Sequence, residues 1–109
     1  MWYNGLNQNS EVNCMANVKV NVLEIVDMSF PIFVKFELID CNSVSHYFID
    51  KVPVISDNYD LIPPCTGNMR CSIIRETNNT IIIDTSKPDD IASLNGESQF
   101  EVFKEQVKV

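Results

Sequence analysis

The chain has 109 residues, 8 Lys and Arg against 15 Asp and Glu, and a formal net charge of −7. That length suits one compact domain rather than two independent cores, and 45% hydrophobic residues exclude wholesale disorder. The acidic balance argues against nucleic acid or an anionic membrane as partner, because both are held by clustered Lys and Arg.

Residues 1–15 read as a polar, Asn-rich lead, with Trp2 and Tyr3 expected to tether it to a single domain over 16–109. No basic stretch followed by an apolar run opens the sequence, so a secretory signal is not expected and the cytoplasm is the expected compartment. Apolar runs such as Ile32-Phe33-Val34 fall far short of the roughly 20 residues that span a bilayer.

From Asn17, Val18, Val20 and Val22 alternate with Lys19, Asn21 and Leu23, a period of two rich in β-branched residues. Glu24 breaks the run, and Ile25-Val26 continue it towards a turn at Asp27-Met28-Ser29. Pro31 cannot donate to a ladder and marks a strand start or a bulge. Val34, Phe36 and Leu38 then alternate with Lys35 and Glu37, a half-buried strand. Asp40-Cys41-Asn42-Ser43 has turn chemistry, and the segment from Val44 to about Ile55 should return antiparallel, ending as an edge or bulge near Pro53.

Residues 56–68 are the longest irregular stretch, with Pro63-Pro64 excluding helix and Thr66-Gly67-Asn68 reading as a turn. A second hairpin follows. Met69, Cys71 and Ile73 face one way, Ile81 and Ile83 join them, and Asn78-Asn79 suits a turn with positive φ. Residues 86–97 suggest one helical turn or an irregular loop. The last strand places Phe100 and Val102 opposite Gln99 and Glu101.

No long segment carries a helical apolar period. The expected fold is all-β: a small antiparallel barrel or compact sandwich of five to six strands with little helix. The expected core is Val20, Val22, Val34, Phe36, Leu38, Phe48, Cys71, Ile73, Ile81, Ile83, Phe100 and Val102. Each such side chain contributes roughly 1.5–3 kcal/mol when fully buried.

Catalytic chemistry is poorly supplied. His46 is the one His, set in a strand beside aromatics, and it reads as structural; Cys41 on the same hairpin is its one possible nucleophilic partner, with no third orienting group. Asp89 and Asp90 are adjacent and would point apart. Cys14, Cys41, Cys65 and Cys71 contain no close pair of the kind that seeds a zinc site, so free thiols, no metal and no cofactor are expected. Gly5, Gly67 and Gly96 are isolated and make no phosphate loop. The chain is not expected to be an enzyme.

Protein binding is what the composition favours. Asp57 and Asp60 around Tyr59 combine an aromatic anchor with steering charge, and Asp84, Asp89 and Asp90 form a second acidic loop. Both loops are candidate partner sites for a basic protein. Phe30-Pro31 before a strand, Asp50-Lys51-Val52-Pro53-Val54, Gly67 with Cys71, and Phe100-Glu101-Val102 give residues 18–102 a likeness to a known group. The chain resembles small bacterial β-domain proteins, some of them immunity partners of secreted toxins. That resemblance implies an inhibitor of a basic, nuclease-like toxin domain and assigns no residue roles. Two alternatives remain: a small-molecule-binding or catalytic barrel with a pocket at His46, Tyr47 or Cys41, and a structural subunit pairing through a strand edge.

Overall fold

The computed structural model describes residues 14–109, so Trp2, Tyr3 and their expected tether lie outside the described residues. The strands are β1 (Cys14–Asp27), β2 (Phe33–Ile39), β3 (Ser45–Lys51), β4 (Cys65–Glu76), β5 (Thr80–Asp84), β6 (Gln99–Phe103) and a short β7 (Val107–Lys108). All neighbours are antiparallel in the order β3-β2-β1-β4-β5-β6, with β7 added beside β1. The sheet curls into a half-barrel. The expected all-β class is what forms.

β1 makes the curl possible. Its first part, Cys14 to Val22, pairs with β4, and Asn21 to Asp27 pairs with β2. Register shifts between Val22 and Glu24 and between Ile25 and Asp27 bend it, as bulges do. The bulges absorb the break in alternation at Glu24, and the strand runs on through Ile25 and Val26 to Asp27 as expected. The strand also begins at Cys14, inside the segment read as a lead, because Cys14 and Met15 pair with Ile73 and Ser72.

Alternation fills the concave face. Val18, Val20 and Val22 from β1, Val34, Phe36 and Leu38 from β2, Phe48, Met69, Cys71, Ile83 and Val102 are fully or almost fully buried. Phe36 and Phe48 stack at 5.1 Å, and Phe48 meets Phe100 edge-on at 5.8 Å. Ile73 is only half-buried, since it lies where β4 is about to bulge before Arg75. Buried Val52, Ile55, Leu61 and Ile91 come from irregular segments and complete the core.

The two outer strands, β3 and β6, approach across a seam. The β2–β3 turn reaches β6 through Cys41 N donating to Glu101 O at 2.8 Å, and Leu94 N donates to Tyr47 O at 2.8 Å. In that turn Asp40 Oδ1 accepts from Asn42 N and Val44 N, while Ser43, rather than Asn42, takes the positive φ of 64°. The segment between β5 and β6 is pinned by Thr85 Oγ1, which donates to Ile91 O at 2.8 Å. Within it Asp90 N donates to Ser86 O at 2.8 Å, closing a single turn over residues 85–89, and the rest is irregular.

Three local expectations are corrected. β3 ends at Lys51, and Val52–Val54 form a single 3-10 turn with Pro53 in its first positions, where no ladder donor is needed. Thr66-Gly67-Asn68 is strand, not turn: Gly67 sits opposite Val20, and a Cβ there would lie 2.7 Å from the Ile55 carbonyl oxygen. Its glycine permits a close backbone approach, and Asn68 N donates to Ile55 O at 2.9 Å beside it. Asn78 and Asn79 do not take positive φ. Thr77 closes that hairpin instead, with its N donating to Thr80 O at 2.9 Å and its Oγ1 accepting from Thr80 N at 3.1 Å.

Gly67→Ala should be costly because its obstacle is backbone. Urea denaturation should show a loss of about 1–3 kcal/mol, the usual cost of overpacking.

Candidate functional site

The loop from Ser56 to Ile62 hangs between two anchors, buried Ile55 and buried Leu61. Its shape is local. Ser56 Oγ accepts from Asn58 N and Asn58 Oδ1 accepts from Asp60 N, both at 2.9 Å. With both ends held inward, Asp57, Tyr59 and Asp60 are turned out to solvent.

The β1–β2 turn rises beside this loop. Ser29 N and Ser29 Oγ both donate to Asp27 Oδ1, which holds the Asp27 carboxyl below its ordinary range. Beyond it Phe30 lies against Tyr59, ring centroids 6.4 Å apart and planes inclined by 18°. Sequence reading missed Phe30; its signal is a large apolar residue placed inside a Ser-Phe-Pro turn rather than in a strand.

The second acidic loop is spent differently. Asp84 Oδ1 accepts from Ser86 N at 2.9 Å and Ser86 Oγ at 2.6 Å, turning the chain out of β5. Asp89 grips Arg70 with both oxygens, at 2.6 Å and 3.2 Å. Asp90 is exposed and holds a φ of 57°. Of the six candidate residues, Asp57, Tyr59, Asp60 and Asp90 present free surface, whereas Asp84 and Asp89 are engaged within the chain.

Arg70 nevertheless brings the two loops to one region. It lines an open groove of about 550 Å³ together with Asp57, Asn17, Asn68, Gly67 and Lys108. One loop thus enters the groove through Asp57, and the other borders it through the Asp89 partner of Arg70. His46, Tyr47 and Cys41 do not line this groove, so the pocket that the barrel alternative requires is not the one described. The edge-pairing alternative meets two covered acceptors, since Tyr47 O and Glu101 O already accept from Leu94 N and Cys41 N.

His46 is bracketed at the seam. Its Nε2 lies 2.8 Å from Asp40 Oδ2, its Nδ1 3.3 Å from Glu97 Oε1, and its ring 4.7 Å from that of Phe100. Both nitrogens face carboxylates, so neither is aimed at Cys41. Burial, then Glu101 and Asp40, raise the Cys41 thiol and keep it protonated, the reverse of what a nucleophile needs. The two carboxylates sit at opposite ends of the ring and share no point a metal could occupy. No three metal-ligating side chains converge among the described residues. No helix among the described residues is long and apolar enough to cross a membrane.

No protein-family model, curated protein or solved structure matches this chain.

Two outcomes follow from these groups. Burial acts to raise the Asp40 carboxyl, but hydrogen bonds from His46, Val44 N and Asn42 N outweigh it and hold it below the usual carboxylate range. Stability linked to Asp40 is therefore present above the unfolded value and lost as pH falls through the lower folded one. Asp40→Asn should flatten that acid limb in urea titrations run from neutral pH downward. The four cysteines are free thiols, and burial pushes Cys71 up to about 12. Iodoacetamide at mildly alkaline pH should leave Cys71 unmodified in the native protein and label it once the chain is unfolded, as read by mass spectrometry.

Proposed function

We propose that this chain is a non-enzymatic, protein-binding inhibitor of the immunity type, which neutralises a basic, nuclease-like toxin domain. The observation that carries the reading is the loop at 56–62, which keeps Tyr59 exposed between Asp57 and Asp60 with none of the three drawn into an ion pair among the described residues. A chain with a net charge of −7 offers the potential that a phosphate-binding surface is built to receive. The acidic side chains raise the encounter rate, and the ring supplies the buried contact that slows escape. An inhibitor of this kind acts in the cytoplasm, where an unchecked nuclease would do harm.

The test is affinity capture on the tagged full chain from its source cells, followed by a nuclease assay on the captured protein with and without added chain. A basic protein whose nuclease activity the chain abolishes is expected. Asp57→Asn/Asp60→Asn should then slow association about tenfold at low salt and little at high salt. Tyr59→Ala should speed dissociation by roughly 30-fold, on the order of 2 kcal/mol. Capture of no basic protein, a captured basic protein whose activity the chain does not inhibit, or unchanged kinetics in both variants would overturn the reading.

A further inference from the structure

We propose that the β1–β2 turn and the 56–62 loop form one docking surface, whose occupant is a protein presenting an apolar hollow ringed by Lys and Arg. This rests on the reading above and deepens it, by adding an apolar half that the acidic loops alone do not have.

Phe30 and Ile62 are each 82% exposed and Met28 is 70% exposed. Single exposed apolar side chains are ordinary on any protein surface. These are not single. The Phe30–Tyr59 ring contact joins the two loops, although the residues are far apart in the chain, and each loop brings a second large apolar side chain, Met28 in one and Ile62 in the other. None of the four belongs to the alternating strand pattern that fills the core, so packing does not explain them.

Charge decides the occupant. Asp27, Asp57 and Asp60 are exposed on the same two loops, and neither residues 27–32 nor residues 56–62 contain a Lys or Arg. A second copy docking through the same patch would set these three carboxylates against three more, a like-charge arrangement that disfavours a twofold contact. An anionic lipid surface is disfavoured for the same reason. A basic rim around an apolar hollow satisfies both halves: Phe30 and Tyr59 enter the hollow, and the carboxylates meet the rim.

The probe is a library of short random peptides displayed on phage and selected on the immobilised full chain. Peptides with Lys or Arg flanking an aliphatic or aromatic residue should be enriched. Phe30→Ser and Ile62→Ser should each weaken the selected peptides about tenfold or more, while circular dichroism and thermal melts stay those of the parent, because both side chains are exposed. Enrichment of acidic peptides, no enrichment, or unchanged binding in Phe30→Ser would overturn the proposal. So would sedimentation showing that the free chain self-associates and that Phe30→Ser abolishes it. The two readings fail separately. Basic apolar peptides with no basic protein captured from cells would sink only the toxin reading. A toxin domain neutralised equally well by Phe30→Ser would sink only this surface.

Discussion

The structure is organised by β1, a strand long enough to serve two neighbours at different heights. Its first part lies against β4 and its last part against β2, and two register shifts bend it where one pairing gives way to the other. Bulging raises the local twist of a strand, and here it turns a flat six-strand order into a curl. Across the ladders Val22 lies opposite Phe36, Val18 opposite Met69, and Phe36 in turn opposite Phe48, and all of them belong to one buried cluster.

A curled sheet that stops short of closing leaves two strand edges and an open end. The chain closes these with irregular segments rather than more strands. The β2–β3 turn donates Cys41 N to Glu101 O, residues 85–98 cover the seam with buried Ile91, and residues 52–61 fill in with Val52, Ile55 and Leu61. Gly67 exists as glycine because one of these segments passes directly over β4. His46 belongs to the same closure: its ring packs on Phe100 while carboxylates from the β2–β3 turn and the loop before β6 approach its two nitrogens. The groups that looked most reactive in the sequence are thus part of the seam.

The outward parts of the irregular segments carry what is left for function. Buried Ile55 and Leu61 hold the loop between them so that its polar and aromatic residues face solvent. A loop anchored at both ends in this way has less freedom to lose on binding, and interaction residues commonly collect on loops held by a scaffold. The contrast with residues 84–90 is instructive: there Ser86 and Arg70 take up the carboxylates of Asp84 and Asp89, and the same residue type contributes to local geometry instead of steering.

The strand alternation at 18–22, 34–38 and 99–102 was legible because a period of two is a local property: each residue's face depends only on its neighbours in the chain. The same holds for the all-β class and for the acidic character of the loops. What needed the tertiary structure was everything that depends on a distant partner. Thr66-Gly67-Asn68 has turn composition, yet its glycine answers to Ile55. Asp57 and Asp89 have equal prospects in sequence, yet only one meets Arg70. Phe30 and Tyr59 gain meaning from each other, and no pattern within either loop announces the pairing. Burial by irregular segments has no period to read, because the side chains of Ile55, Leu61 and Ile91 point inward wherever the curled sheet leaves room.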